Sequence, residues 1–96
     1  MTKIDKEVKQ KLAEPSMFAL FLLNDDVTTM DFVIGILMDI FYYELDKATQ
    51  IMLEIHTCGE GRVGVFTEEI ALSKQKQVAN AARNAHFPLQ TRIEKI

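Results

Sequence analysis

The chain has 96 residues, of which 48% are hydrophobic, so it is long enough for one domain with a buried core. Its net charge of −3 disfavours a protein that mainly grips phosphate backbones, because such binding needs a clustered basic surface. No apolar run approaches the roughly 20 residues that cross a bilayer, the charged N-terminus lacks a signal-peptide core, and the lone Cys58 cannot build a disulfide framework. We therefore expect a cytoplasmic protein with no nucleic-acid or membrane partner.

The first 23 residues divide into a polar segment and an apolar one. Residues 1–15 are lysine-rich and end at Pro15, which predicts a flexible N-terminal extension ahead of one folded domain over residues 16–96. Residues 17–23 are continuously apolar, a pattern typical of a strand that lies centrally in a sheet or is covered on both faces. Three turn-forming residues at 24–26 then end this strand.

Two helices are predicted after this turn. Thr28, followed by Asp31 three residues on, forms a capping box, so the first helix should begin at Thr28. Apolar residues then recur at helical spacing between residues 30 and 41. Asp46 is predicted to cap the second helix, which should end near Gly59, since glycine readily adopts the left-handed conformation that stops a helix.

The second half of the chain contains two strands and one helix. Residues 61–66 read as a short strand, and Thr67 precedes a helix whose first turn carries two glutamates, where the helix dipole favours acids. Residues 89–94 alternate in polarity, which is typical of an edge strand with one wet face. The order is therefore β-α-α-β-α-β, a small α/β (α+β) domain.

The acidic stretch at residues 24–26 has two interpretations on local chemistry alone. Asx residues after a strand are common turn formers, and carboxylates ahead of a helix suit its dipole, so composition favours a structural role. Alternatively, Asp25 and Asp26 could act with His56 in a metal- or carboxylate-dependent hydrolase. No third-ligand pattern supports a metal, because His56 and Cys58 lie two apart on a predicted helix and point to different faces. Neither a phosphate loop nor a nucleophile motif is present.

Several separated motifs are distinctive: LNDD at 23–26, Thr28, MDFV at 30–33, KATQIML at 47–53, IH at 55–56, GVFT at 64–67, Glu69, Lys74 and HFPL at 86–89. Through these motifs the chain resembles, over residues 15–96, the ClpS family, adaptors of the ClpA–ClpP protease that recognise N-degrons. The resemblance implies a three-stranded antiparallel sheet packed on three helices, with no catalysis, no cofactor and no metal. Thr29 stands where many family members have proline, which leaves Thr28 as the predicted cap.

The resemblance also implies a binding site for the first residue of a substrate protein. Asn24, Asp26 and His56, with Asp25 beside them, fall where the family binds the free α-amino group, whose three donors need about three acceptors. The first side chain, Leu, Phe, Tyr or Trp, would enter an apolar pocket. That pocket is expected to be formed by Leu23, Thr28, Met30, Val33, Met52, Ile55 and Leu89. Met30 matches the residue that crowds β-branched side chains at the pocket mouth.

The implied partners are N-degron proteins and the N-terminal domain of a ClpA-type, or ClpC-type, AAA+ unfoldase. Glu69 and Lys74 match the residues that dock on this domain, and the extension before Pro15 matches a segment that the unfoldase engages during handover. The adaptor is expected to be a monomer. A plain interaction domain, similar to the C-terminal domain of the ribosomal stalk protein, is a further alternative.

Overall fold

A computed structural model describes residues 15–96 of the chain. The extension predicted for residues 1–15 lies outside this range except for Pro15. In chain order the elements are β1 (Met17–Leu23), α1 (Met30–Asp39), α2 (Leu45–Cys58), β2 (Glu60–Thr67), α3 (Glu68–Ala85) and β3 (Gln90–Lys95). This order confirms the predicted β-α-α-β-α-β arrangement, and β1 has the predicted bounds. Over the same residues, none of the helices is long and apolar enough to cross a membrane.

The three strands form one antiparallel sheet in the order β2-β1-β3. β1 lies in the centre of the sheet, one of the two arrangements that its continuously apolar sequence predicted. At its C-terminal end Leu23 pairs with Glu60 on one side and with Gln90 on the other. A register shift between Leu20 and Phe21 marks an irregularity in the pairing with β2. The predicted edge strand β3 is confirmed.

The core lies between the sheet and the helices. Leu20 and Leu22 of β1 are fully buried, and Leu37 of α1, Ile55 of α2 and Val78 of α3 pack in the same apolar cluster. Because successive strand residues point to opposite faces, the two β1 leucines mark the face that the helices cover. The cluster contains no buried polar or charged residue among those described. Hydrophobic burial between these layers therefore fixes the positions of α1 and α2 relative to the sheet.

The start of α1 differs from the prediction. Thr29, not Thr28, is the N-cap, and its Oγ1 accepts a hydrogen bond from the backbone N–H of Phe32 at 3.2 Å. The Thr28 hydroxyl instead donates to the carboxylate of Asp25 at 2.7 Å. The prediction of Thr28 as the cap was therefore wrong, because the turn around Asp25 holds the Thr28 side chain and the chain enters the helix one residue later.

The two ends of α2 gave one wrong and one correct prediction. The helix begins at Leu45 after Glu44, so Asp46 lies in its first turn and is not the cap. A carboxylate is still favourable there because it faces the positive end of the helix dipole. The helix ends at Gly59, which has a φ of 91° and lies in the left-handed region, as predicted.

Candidate functional site

The loop between β1 and α1 is organised around Asp25. Its Oδ1 accepts hydrogen bonds from the backbone N–H groups of Val27 at 2.8 Å and Thr28 at 2.6 Å. Its Oδ2 accepts the bond from the Thr28 hydroxyl. A side chain that accepts bonds from the backbone two and three residues later forms a compact turn without help from a distant element. Both oxygens of Asp25 are thus used inside the loop.

These bonds also control the ionisation of Asp25. Partial burial opposes its charge, but the bonds from the N–H of Thr28, the hydroxyl of Thr28 and the N–H of Val27 together hold its pKa below the usual value. Because the folded-state pKa is depressed, the stabilisation is fully present above the usual carboxyl value and is lost as pH falls below it. The loop therefore keeps its hydrogen bonds at neutral pH.

A backbone contact joins this loop to the C-terminal end of α2. The N–H of Asn24 donates to the carbonyl of Gly59 at 2.9 Å, directly beyond the pairing of Leu23 with Glu60. His56 lies on α2 three residues before Gly59, within the last turn of the helix. The sheet pairing thereby brings residues more than 30 positions apart to one edge of the fold.

A cavity of about 400 Å³ opens at this edge, and we call it the loop cavity. It is lined by Asn24, Asp25, Asp26, Val27, Thr28, Thr29, Met30, Val33, Met52, Ile55 and His56. Asn24, Asp26 and His56 are exposed, whereas Val33, Met52 and Ile55 are buried. The cavity therefore combines a solvent-facing polar rim with an apolar floor. Met30, 43% exposed, is the apolar residue of the lining that reaches furthest into solvent apart from Val27.

Most of the residues predicted for the site line this cavity, and two do not. Leu23 lines a neighbouring groove together with Asn24, Asp25, Pro88 and Gln90. Leu89 is buried and faces a separate shallow pocket beside α3 and β3. Val27 and Thr29 line the cavity although the motif comparison did not single them out. Their position inside the six-residue loop was the only signal that could have found them.

The rim of the loop cavity offers acceptors that the protein itself does not use. In the part of the chain that the structure describes, the side chains of Asn24, Asp26 and His56 make no hydrogen bond to another residue. The lining contains the two carboxylates and no lysine or arginine. An amide oxygen, a carboxylate and an imidazole nitrogen at one rim suit a cation that carries several N–H donors.

Metal binding at this rim lacks a set of ligands. Among residues 15–96, no three His, Cys, Asp or Glu side chains approach closely enough to hold a metal ion. His86 lies at the end of α3 and not in the lining, and Cys58 is exposed outside it. The arrangement is thus suited to binding an organic cation with an attached apolar group.

The two predicted docking residues lie on α3, away from the loop cavity. Glu69 is exposed in the first turn of the helix. The Lys74 Nζ donates to the carbonyl of Ile40 at 2.6 Å and lies 4.7 Å from the centroid of the Tyr42 ring. Lys74 therefore closes the C-terminal end of α1, where unpaired carbonyls favour a cation.

Comparison with known proteins identifies similar chains. Residues 13–92 match the family described as ATP-dependent Clp protease adaptor protein ClpS. The ATP-dependent Clp protease adapter protein ClpS of Campylobacter jejuni strain 81-176 is 58% identical over 95 residues, 99% of each chain. The protein of the same name from Paraburkholderia phymatum is 47% identical over 87 residues, 91% of this chain and 84% of that protein.

A solved structure has the same fold. It is that of Agrobacterium tumefaciens ClpS2 bound to L-phenylalaninamide, which superposes with a TM-score of 0.83. The sequence identity is 31%, and the match covers 86% of this chain and all of the other.

Proposed function

The chain belongs to the ClpS family of Clp protease adaptors, and we propose that it binds proteins with a bulky apolar first residue and delivers them to a ClpA-type unfoldase. The observation that carries this proposal is the loop cavity, where unused acceptors on the rim adjoin a buried apolar floor. The ClpS2 structure supports it, because L-phenylalaninamide has a free α-amino group and an aromatic side chain, as the first residue of such a protein would.

The proposed recognition of the amine rests on the rim. An α-ammonium group has three donors and one positive charge, and Asn24, Asp26 and His56 supply three acceptors that include one carboxylate. Hydrogen bonds to charged groups contribute roughly 1.5–3 kcal/mol each. Asp25 adds to the negative electrostatic potential at the rim, although its oxygens already accept hydrogen bonds from Val27 and Thr28.

The proposed recognition of the first side chain rests on the floor. Thr28, Met30, Val33, Met52 and Ile55 would surround a Leu, Phe, Tyr or Trp side chain, and its burial contributes about 1.5–3 kcal/mol. A polar side chain would lose its water there without finding a partner.

The groove beside the loop cavity suggests a path for the rest of the substrate. It shares Asn24 and Asp25 with the cavity and extends to Leu23 and Pro88. We place the second and third substrate residues there. Leu89 lines neither the cavity nor the groove and would contribute to the floor only as a member of the same core cluster as Val33, Met52 and Ile55.

Delivery requires a second contact, with the unfoldase. We propose that its N-terminal domain docks on the surface of α3 that carries Glu69 and Lys74, and that the unfoldase engages residues 1–15 during handover. The adaptor would act as a cytoplasmic monomer. Docking on α3 leaves the loop cavity free to hold a substrate.

His56→Ala should weaken binding of a Leu-initiated peptide several-fold, because the peptide amine loses one of its three acceptors. His86→Ala, which changes the histidine outside the cavity, should retain full affinity. Fluorescence anisotropy of a labelled peptide measures both variants and the unaltered protein. Equal affinity of His56→Ala and the unaltered protein would show that His56 accepts no bond from the amine.

Two substitutions of Asp25 should distinguish the effect of its negative charge on peptide binding from the effect of the turn that it forms. In Asp25→Asn the amide oxygen can still accept from the N–H groups of Val27 and Thr28, so the turn persists and peptide affinity should fall less than about tenfold. Asp25→Ala removes the turn and should cost clearly more. Titrations of both variants with the same peptide check this order, with Asp31→Asn, outside the cavity, as the control for a lost charge. Equal losses in both variants would mean that the Asp25 carboxylate itself meets the amine.

A further inference from the structure

The segment between α1 and α2 presents an aromatic ring to solvent from a strained backbone. Tyr42 is 78% exposed, and its φ of 62° lies in the left-handed region. That conformation is unfavourable for a residue with a side chain, and glycine or asparagine would adopt it more readily. The next residue is held firmly, since the Tyr43 hydroxyl donates to the carbonyl of Val63 at 2.6 Å. Strain maintained at an exposed residue indicates a use for the side chain found there.

Lys74 fixes the orientation of this ring. Its Nζ donates to the carbonyl of Ile40 at 2.6 Å, lies 4.7 Å from the Tyr42 ring centroid and 5.8 Å from that of Phe41. An ammonium group over an aromatic ring is attracted by the electron-rich face of the neutral ring, which has a quadrupole. This ammonium already contacts a carbonyl and two rings. It would have to give up part of these contacts to form an ion pair with a carboxylate of another protein.

We propose that Tyr42 is an anchor residue for the Clp ATPase and that Lys74 is a positioning residue that holds its ring. The proposal rests on the adaptor function above and goes beyond it, since it adds to the docking surface an apolar contact by Tyr42, a residue outside α3. Interface hot spots are enriched in tyrosine, and a ring ordered before binding loses less entropy when it docks. Ile70, 45% exposed and one helical turn before Lys74, extends the apolar surface. We call Tyr42, Ile70 and Lys74 the tyrosine patch.

The position of the tyrosine patch suits an adaptor that holds two proteins at once. The loop cavity uses Met30 and Val33 at the N-terminal end of α1, whereas Tyr42 follows its C-terminal end. The ten residues of α1 span about 15 Å at 1.5 Å per residue. A substrate in the cavity therefore leaves the patch free, and the remaining obligatory partner of a Clp protease adaptor is the Clp ATPase.

Charge further defines the partner surface. The exposed carboxylates of Asp39 and Glu44 flank Tyr42 along the chain, and the exposed Glu69 precedes Ile70. The only cation of the patch is committed to Ile40 and the rings. The patch thus fits an apolar pocket for a phenol ring bordered by lysine or arginine on the ATPase.

The test compares Tyr42→Asn with the unaltered full chain in binding to the Clp ATPase encoded by the same genome. Asparagine tolerates the left-handed conformation, so the variant removes the ring and not the fold. We expect at least about tenfold weaker ATPase binding with unchanged binding of a Leu-initiated peptide. Tyr42→Phe is the matched control and should bind the ATPase normally. Normal ATPase binding by Tyr42→Asn would overturn the proposal.

A double-mutant cycle tests the role given to Lys74. Lys74→Met keeps the apolar stem and removes the ammonium, so it should weaken ATPase binding alone but add nothing in the Tyr42→Asn background. An additional loss in the double variant would show that Lys74 meets the partner independently of the ring, which would overturn its positioning role. The peptide titration keeps the two hypotheses apart. If the unaltered chain binds the ATPase and not the peptide, the proposed substrate function fails while the anchor role of Tyr42 is still measured.

Discussion

Acetylation of the α-amine should weaken binding of a Leu-initiated peptide by at least about a hundredfold. The acetyl group removes the positive charge and two of the three donors, so at least two charge-assisted hydrogen bonds of roughly 1.5–3 kcal/mol each are lost. The acceptors of Asn24, Asp26 and His56 would also be covered by the bound peptide without regaining a partner. This penalty adds to the lost bonds, because buried acceptors without donors are costly.

The measurement is a fluorescence anisotropy titration with peptides labelled at the C-terminus. The matched control carries the acetyl group on a lysine side chain several residues from the N-terminus, which leaves the amine free and should bind normally. A Met-initiated form should bind far more weakly than the Leu-initiated one. Asp26→Asn should lose affinity for the free amine and discriminate less against the acetylated peptide. Equal binding of the two Leu-initiated peptides would refute the assignment of the amine to this rim.

Gly61→Ala should lower both stability and peptide affinity. An added Cβ at this buried position would lie 2.7 Å from the Cγ1 of Ile55 and 3.6 Å from the carbonyl of Ile51. Ile55 is 2% exposed in the core and lines the loop cavity, so the open space into which its side chain can move is the cavity. Overpacking of this kind costs about 1–3 kcal/mol of folding free energy. A narrowed floor should weaken binding of a Leu-initiated peptide several-fold, up to about tenfold.

Gly35→Ala is the matched control for this substitution. A Cβ at Gly35 would meet no atom within 4 Å, and the residue lies inside α1. Alanine should therefore stabilise the protein by up to about 1 kcal/mol through its higher helix propensity and leave peptide binding unchanged. Urea unfolding of both variants measures the two effects. If Gly61→Ala kept full stability and affinity, the close packing of β2 against Ile55 would have no part in shaping the floor.

Local patterns were sufficient to predict the elements of this fold. The apolar run that ends in three turn-forming residues predicted β1 to the residue, and Gly59 marked the end of α2. Both signals depend on interactions within a few residues of the chain. The antiparallel arrangement of the sheet came from the family motifs, because strand pairing is not encoded by the periodicity of any one segment.

Hydrogen-bond partners were less predictable than helices and strands, even between residues close together in the sequence. Two adjacent threonines could each cap α1, and local rules chose Thr28, whereas the fold uses Thr29. In the turn that Asp25 forms, the Thr28 hydroxyl donates a hydrogen bond to the Asp25 carboxylate. The two adjacent hydroxyls are acceptors of similar strength for the helix N–H groups, so the choice between them depends on the path of the whole loop.

The sequence by itself determined the order of elements, the acidic loop and the family to which its motifs belong. Only the tertiary structure decided which residues the polar and charged side chains lie beside. Asn24 and His56 share a rim because β1 pairs with β2 and the N–H of Asn24 reaches the carbonyl of Gly59. Lys74, which looks solvent-facing on its helix, closes α1 at Ile40 and holds Tyr42. These contacts join residues about 30 positions apart, and the energy that selects them comes from burial of a common core and not from the preferences of neighbouring residues.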